Sequence, residues 1–423
     1  MRIYFLIVLL SLLQSYSIYA EQDHPLAKLW GVEDNEVPKL LENERNLIAI
    51  DKILKSILEQ DNFISSFGGS VIFPKENIIT VNTVDFSKVD DLLALPQINP
   101  HKDFLSFDKA ENSMSLSQLI YNFDQIAFQA SSIRPNQTII YTDLESNNNV
   151  IYIFNRDINN SEFIEAIKPY NPKIIYENIN SPPVSQNITQ LRRDFNPRNL
   201  KIKLLSGDGL YNNGLFCSAG FWATDRFDPN DFYVITAGHC YNNEITNTEF
   251  YYAPWRYDLP SDLLIGRMVF HMTDPYDFGI INHVNKDVIP TFSVRNDVTT
   301  KYRELTITDS APVTSVGAHI CRSGRTSYFS CGYVLGFNGR NYGYTIGIKK
   351  DLIITDMPAE RGDSGGPILS FVSPQNLYSV VVHGIFFGGG RILNAAQSID
   401  IIFKELGENT IYDLTLYTGG SSS

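Results

Sequence analysis

The stretch Gly362–Pro367, with the sequence GDSGGP, contains the residue types that an acyl-transfer site needs. A serine becomes a nucleophile when a base removes its proton and backbone N–H groups stabilise the oxyanion that forms on the attacked carbonyl. A tight turn flanked by glycines presents both features, because glycine lets the backbone approach a substrate closely. We therefore predict that Ser364 is the nucleophile and that the amides of Gly362 and Ser364 form an oxyanion hole. Taken alone, the stretch is equally compatible with an ordinary glycine-rich turn.

A second stretch, Thr236–Cys240, supplies a candidate base. Its histidine, His239, follows an apolar strand pattern and precedes a cysteine. A histidine base needs a carboxylate on its second ring nitrogen, which fixes the tautomer. Asp277, at the start of an apolar run, is the favoured candidate for that carboxylate, and Asp274 is the alternative. We interpret other histidines as structural or as ordinary polar surface: structural for His271, His283 and His319, and surface for His24 and His101.

The amino terminus has the composition of a secretory signal peptide. Arg2 precedes a mostly apolar run over Ile3–Leu13, and Ala20 is a small residue at the expected cleavage point. Gln14 ends the run well before the roughly 20 apolar residues of a membrane anchor. We therefore predict that residues 1–20 are a signal peptide and that the protein is extracellular. Three Asn-x-Ser/Thr triplets predict glycosylation at Asn136, Asn159 and Asn187.

The charge and cysteine content of the chain limit the kinds of partner that it can bind. A net charge of −13 argues against nucleic acid and against an anionic membrane, since both require basic surfaces. No cofactor and no metal are implied. The four cysteines, an even number in a secreted chain, indicate two disulfides. All of them lie in the second half of the chain, so residues 21–200 are predicted to be a separate unit. The cysteines are Cys217, Cys240, Cys321 and Cys331.

Periodicity divides the chain at a loop-like segment over residues 179–200. Before it, apolar residues from Pro38 to Gln60 recur at helical spacing, and the order strand, helix, strand is predicted for Val150–Phe154, Ser161–Lys168 and Lys173–Ile179. The segment itself has the composition of an exposed linker that proteases reach. Beyond it, short β-branched and aromatic runs between turn residues are typical of an all-β fold.

The order of His239, Asp277 and Ser364, in the sequences TAGHC and GDSGGP, resembles the chymotrypsin-fold serine peptidases. The sequences of Phe216–Phe221 and Cys321–Gly332 are more similar to the α-lytic protease and streptogrisin branch. The resemblance covers residues 201–423 and implies an all-β domain of two antiparallel six-stranded barrels. It also implies the cysteine pairing, which is Cys217 with Cys240 and Cys321 with Cys331.

The same resemblance gives Arg322 a role. In the trypsin-like branch, a newly formed amino terminus pairs with the aspartate that precedes the nucleophile, but the stretch Lys201–Leu205 lacks the required sequence. In the α-lytic branch, the arginine after the cysteine replaces that amine. The resemblance therefore predicts a buried ion pair between Arg322 and Asp363 that supports the oxyanion loop.

Residues 21–200 resemble the long pro region of α-lytic-type enzymes, on the strength of Phe67–Ser70, Asn77–Val81 and the predicted strand, helix and strand. The resemblance implies an intramolecular partner that assists folding and inhibits the enzyme until it is cleaved. Such help suits a barrel, whose strands pair across large sequence separations and so fold slowly.

The function predicted from these features is a secreted, monomeric serine endopeptidase acting on proteins or peptides and made as a pro-protein. Two residues are candidates for the substrate pocket, where Asp356 would favour a basic side chain and His383 an acidic one. The alternative is a catalytically inactive homologue that acts as a protein-binding module. An esterase of another fold would carry its histidine after its serine, the reverse of the order found here.

Overall fold

In the computed structural model, the described residues are 22–177, 201–241, 247–257, 259–343 and 347–419. The predicted signal peptide, the predicted linker and Asn187 therefore lie outside the described residues. Within the described ranges, every helix is too short or too polar to cross a membrane.

The amino-terminal unit, residues 22–177, combines helices with short strands. Its elements are α1 Pro25–Trp30, α2 Val37–Leu58, β1 Phe67–Phe73, β2 Ile78–Thr83, α3 Val89–Leu93, β3 Leu105–Lys109, α4 Leu116–Ile133, β4 Thr138–Asp143, β5 Asn148–Ile153, α5 Ser161–Ile167 and β6 Lys173–Tyr176. The helix predicted from Pro38 to Gln60 is α2, and the predicted strand, helix and strand are β5, α5 and β6. The residue that caps α5 is Asn160, and Ser161 is its first helical residue.

The carboxy-terminal unit, residues 201–419, consists mainly of strands, so the predicted all-β class is confirmed. Its strands are β7 Ile202–Ser206, β8 Gly209–Asn212, β9 Leu215–Ser218, β10 Phe221–Asp225, β11 Phe232–Thr236, β12 Glu249–Ala253, β13 Leu264–Met272, β14 Phe278–His283, β15 Val288–Arg295, β16 Glu304–Ser310, β17 His319–Gly324, β18 Tyr328–Gly343, β19 Gly347–Thr355, β20 Pro367–Phe371, β21 Ser379–Gly389, β22 Asn394–Ser398 and β23 Leu414–Leu416. The helix α6, Ile399–Asn409, packs on β21 and β22.

Two sheets organise this unit. The first has the strand order β23-β10-β11-β14-β13-β12-β8-β9. The second follows the path β6-β5-β4-β18-β17-β20-β21-β16-β15-β7, with β19 paired to β18 and β22, and β22 paired to β21. The first two candidate catalytic residues lie just after β11 and just before β14, and the turn before β20 carries the third.

The amino-terminal unit is less separate than the cysteine distribution predicts. Its strand β4 pairs antiparallel with β18, with Ile139 opposite Asn341, so one sheet runs through both units. At another contact, Gly317 has a φ of 86° and an added Cβ would lie 2.2 Å from the Ile72 carbonyl oxygen. The Ile72 amide donates to the Val316 carbonyl at 3.0 Å. The two units are therefore joined by backbone contacts as well as by packing.

Candidate active site

The register of two neighbouring strands brings His239 and Asp277 together. His239 lies in a one-turn 3-10 helix just after β11, and Asp277 directly precedes β14. These strands pair antiparallel, with Thr236 opposite Gly279, so the end of one strand meets the start of the other. A disulfide from Cys240 to Cys217, with an S–S distance of 2.02 Å, ties the histidine turn to β9.

Asp277 holds the histidine at two points. Its Oδ2 lies 2.9 Å from His239 Nδ1, and its Oδ1 accepts the His239 backbone N–H at 3.1 Å. The Asp277 side chain is 1% exposed, whereas that of His239 is 35% exposed. Since Nδ1 faces the carboxylate, the tautomer with the proton on Nδ1 leaves Nε2 free to act as a base.

The surroundings of His239 favour its charged form. Burial disfavours the imidazolium, but the Asp277 carboxylate and its hydrogen bond outweigh burial and raise the pKa of His239 above the ordinary value of 6.5. The ammonium group of Lys349 acts in the opposite direction. The raised pKa means that these surroundings stabilise the imidazolium, which is the form a histidine base takes when it accepts a proton.

The turn before β20 places Ser364 beside the histidine segment. Gly365, with a φ of 85°, comes so close to that segment that an added Cβ would lie 2.1 Å from Thr236 Oγ1. The Ser364 carbonyl accepts the Ser218 amide at 2.8 Å, which anchors the turn on β9. The Ser364 hydroxyl donates to the Phe387 carbonyl at 3.4 Å and makes no hydrogen bond to His239 within the described residues. A bond this long is weak, so rotation of the side chain can redirect the hydroxyl.

The predicted oxyanion amides are available. Among the described residues, neither the Gly362 nor the Ser364 amide donates to another group. Gly362 has a φ of 102°, and its carbonyl accepts the Ser218 hydroxyl at 2.8 Å, which fixes the peptide in one orientation. Two amides without acceptors beside a nucleophile are the arrangement that stabilises an oxyanion.

Asp363 lies between those two residues, and both of its carboxylate oxygens accept hydrogen bonds. Its Oδ1 accepts the amides of Thr326 at 2.9 Å and Ser327 at 3.0 Å. Its Oδ2 accepts the Glu360 amide at 2.8 Å and lies 2.6 Å from Arg322 Nη1. The side chains of Arg322 and Asp363 are both fully buried. A carboxylate removed from water in this way requires such partners.

Arg322 in turn connects the oxyanion loop to a disulfide-closed hairpin. Its Nη2 donates to the Ser330 hydroxyl and to the Pro358 carbonyl, both at 3.0 Å. The hairpin is closed by the bond between Cys321 and Cys331, with an S–S distance of 2.01 Å. Burial lowers the pKa of Arg322 from its ordinary value, and the adjacent carboxylate opposes that change. The planar guanidinium thus links the two loops through several donors at once.

Comparison with known proteins identifies the family. No protein-family model matches the chain. The chain is 32% identical to Serine protease 2 of Streptomyces fradiae over 170 residues, which make up 40% of this chain and 88% of that protein. The chain belongs to the chymotrypsin-fold serine peptidases, in the streptogrisin branch. It is also 29% identical to streptogrisin-D of Streptomyces griseus over 168 residues, or 40% of this chain and 38% of that protein.

Two solved structures are similar to this serine peptidase over about half of its chain. Protease A of Thermobifida fusca is 24% identical, with a TM-score of 0.40, over 52% of this chain and all of the other. The Nocardiopsis protease is 22% identical, with a TM-score of 0.40, over 51% of this chain and all of the other.

The two candidate pocket residues both make hydrogen bonds within this serine peptidase, and their role in a substrate pocket stays a prediction. His383 is buried, and its Nδ1 lies 2.6 Å from the Ala311 carbonyl while its Nε2 lies 2.7 Å from the Ser370 hydroxyl. Burial lowers the pKa of His383 to about 4. Asp356 is half-buried and accepts the Tyr333 amide at 2.6 Å, and burial raises its pKa. The structure therefore brings neither side chain into contact with Ser364.

Three residues near the catalytic groups went unnoticed in the sequence. Gln397 accepts the Asp277 amide at 3.4 Å, and Phe387 supplies the carbonyl that Ser364 contacts. Lys349 is buried with its Nζ 6.0 Å from the centre of the Phe387 ring. Each reaches the site from a different strand of the second sheet, so no local spacing could have indicated it.

The site offers no thiolate for a metal ion. The Sγ atoms of Cys217 and Cys240 and one ring nitrogen of His239 lie within 4.8 Å of one another. Both sulfurs belong to the disulfide, however, and a metal binds the thiolate form of cysteine.

Asp277→Asn is expected to lower kcat of this serine peptidase by about 10⁴, because an amide stabilises the wrong histidine tautomer. Protonated His239 cannot act as a base, and its pKa is raised above 6.5. The parent's kcat/KM should therefore fall as the pH drops below that raised pKa. Without the carboxylate, this limb should move to lower pH. Rates measured across the range test both effects. The control is Asp274→Asn, and a larger loss in that variant would assign the role to Asp274.

Proposed function

We propose that the chain is a secreted serine endopeptidase, made as a pro-protein, that cleaves peptide bonds by Ser-His-Asp acyl transfer. The observation that carries the proposal is the two-point contact of Asp277 with His239, next to the turn that presents Ser364. The family identity supports the peptidase reaction class.

In the proposed reaction, Ser364 turns from the Phe387 carbonyl toward His239 Nε2. Its oxygen forms a bond to the substrate carbonyl carbon while its proton passes to Nε2, and the carbonyl electron pair moves onto oxygen. The amides of Gly362 and Ser364 stabilise that oxyanion. When the tetrahedral intermediate collapses, the C–N bond breaks and Nε2 gives its proton to the leaving amine. Water repeats both steps on the acyl-enzyme and restores Ser364.

Residues 21–200 are proposed to be the pro region. Glu177, the last described residue before the linker, accepts the Arg391 backbone amide. An added Cβ at Gly390 would lie 2.5 Å from the Glu177 carboxylate. Phe387, whose carbonyl contacts Ser364, is only a few residues away from this contact. The chain thus leaves the amino-terminal unit close to the catalytic serine, which supports self-cleavage in the linker.

Secretion is supported by the two disulfides, since such bonds persist in oxidising compartments outside the cytosol. Glycosylation is proposed at the exposed Asn159, and the half-buried Asn136 is the less accessible acceptor.

Labelling with a fluorophosphonate tests the proposed function directly. After the pro region has been cleaved, the reagent should form an adduct on Ser364 and on no other serine, because among the described residues the Ser364 hydroxyl is the one that lies beside both the proposed base and the proposed oxyanion hole. Peptide mass spectrometry locates the adduct, and Ser370, which contacts His383, is an internal control. A cleaved protein that takes up no label would favour the inactive, protein-binding alternative.

A further inference from the structure

The first residues of the amino-terminal unit are part of the core of the carboxy-terminal unit. From α1 and α2, side chains that are at most 2% exposed pack in the same cluster as residues of the second sheet and α6. These side chains are Leu26, Ala27, Trp30, Val37 and Leu41. The protease side presents Tyr302 and Phe371 to this segment. We call residues 24–44 the docking segment.

His24 lies at the centre of this contact and is fully buried, contrary to the surface position predicted from the sequence. Its ring lies 4.8 Å from that of Tyr302 and 4.5 Å from that of Phe371. Its Nδ1 accepts the Leu26 amide at 3.2 Å and so carries no proton. The ring is therefore uncharged.

Burial lowers the pKa of His24 to about 4. The Leu377 carbonyl and Asp23 favour its charged form, whereas His319 and Lys301 oppose it. The balance excludes a proton from the docked ring at neutral pH, because two aromatic rings replace the water that would solvate the charge.

A second histidine, on the protease side, receives a carboxylate of the docking segment. Glu44 is 2% exposed and accepts both the His319 amide, at 2.7 Å, and its Nδ1–H. His319 Nε2 accepts the Phe371 amide at 2.9 Å, so this ring is also uncharged. The protease surface around His319 therefore binds one buried carboxylate, that of Glu44, and the apolar side chains of the docking segment beside it. His383, which interacts electrostatically with His319, is buried and uncharged at neutral pH.

This surface is remote from the catalytic serine. Phe371 is the last residue of β20, an extended strand that begins at Pro367, after the turn that contains Ser364. At about 3.3 Å per residue, that strand alone spans about 13 Å. Contacts made here cannot be contacts with the scissile bond.

We propose that the face formed by Tyr302, His319 and Phe371 is an exosite, which keeps the cleaved pro region bound through the docking segment only while His24 is uncharged. The exosite rests on the proposed assignment of residues 21–200 as a pro region. Mild acid then releases the fragment from the protease through a contact that includes none of the catalytic residues.

The pH dependence of docking follows from the difference in the pKa of His24 between the docked and released forms. Free in water, His24 regains a pKa of about 6.5, against about 4 when docked, so the released form binds more protons as the pH falls below 6.5. Docking is therefore full above that value and weakens toward pH 4. Between pH 7 and pH 5, the affinity should fall about 20-fold from His24 alone. Asp23 stays ionised over this range, since the contacts it makes lower its pKa from 3.8.

The experiment uses full-length Ser364→Ala, nicked in its linker by an added protease that cuts after Arg192 or Arg193. The dissociation constant of the two fragments, measured at pH 7 and pH 5, should rise about 20-fold at the lower pH. In His24→Asn, whose amide oxygen can still accept the Leu26 N–H but which cannot be charged, the ratio should fall below about three-fold. The matched control is His101→Asn, a partly exposed histidine of the same unit, which should keep the parent ratio.

The ratio between the two pH values is the decisive quantity, because it does not depend on whether His24→Asn weakens docking at both. A parent affinity that is the same at both pH values, or a full pH dependence in His24→Asn, would overturn the exosite. The measurement needs no peptidase activity. Its failure would thus leave the labelling of Ser364 unaffected, and an unlabelled Ser364 would leave the measured pH dependence unaffected.

Discussion

Ser364→Ala is expected to leave the full-length chain uncut between residues 179 and 205 and to lower peptidase activity by about 10⁶, the loss seen when a serine nucleophile is removed from a comparable triad. Without the hydroxyl, no acyl-enzyme forms, and only the oxyanion amides and substrate binding contribute to the rate. Expression in a host that lacks other proteases, followed by mass analysis and a peptide hydrolysis assay, measures both effects.

Two companion variants make this result specific. His239→Ala should lose nearly as much activity as Ser364→Ala, and the double variant should lose little more, because the residues act as one unit. Ser370→Ala, on the strand that follows the nucleophile, should still be processed, since its hydroxyl contacts His383 rather than the catalytic groups. Normal trimming of Ser364→Ala would exclude self-cleavage, and Arg192 and Arg193 would then indicate a host enzyme that prefers basic sites.

Arg322→Met is expected to lower the free energy of unfolding by about 3–5 kcal/mol and to abolish most activity. The variant leaves Asp363 as a buried carboxylate without its cation, 2.6 Å from where the guanidinium was. Relief of that cost requires the oxyanion loop to move toward water, and this displaces the amides of Gly362 and Ser364. Denaturant unfolding and peptide hydrolysis measure the two losses.

The double variant Arg322→Met, Asp363→Asn separates charge from packing. It should recover part of the lost stability, because no unpaired charge remains buried. Arg303→Met, at an exposed arginine of the same unit, should change stability by less than about 0.5 kcal/mol. An Arg322→Met protein as stable and active as the parent would show that other contacts of Asp363, such as those with Thr326 and Ser327, suffice to hold the loop.

Short motifs made much of the catalytic region predictable. A strand that ends just before His239 and a strand that begins after Asp277 need only pair antiparallel to bring the two side chains together, and such pairing is common for apolar runs of this length. The helix α2 was predictable because one face of it repeats at helical spacing. The catalytic roles themselves stay predictions until the variants are tested.

Contacts across long separations were not predictable. Glu44 and His319 are 275 residues apart, and each looks like an ordinary polar residue among its neighbours. His24 lies beside a proline and near charged residues, a composition typical of exposed loops, yet tertiary packing buries it. The same limit applies to the joining of β4 with β18, since strand propensity does not specify which edge a strand will meet.

Removal of the proposed pro region would break the pairing of β4 with β18. Residues 340–342 are bonded to β19 on one side and to β4 on the other, so loss of the amino-terminal unit turns an interior strand into an edge strand. Unsatisfied amides and carbonyls on such an edge can recruit another strand. Tyr342, now 1% exposed, would enter solvent at the same time. Maturation would therefore create a surface with the character of an aggregation site.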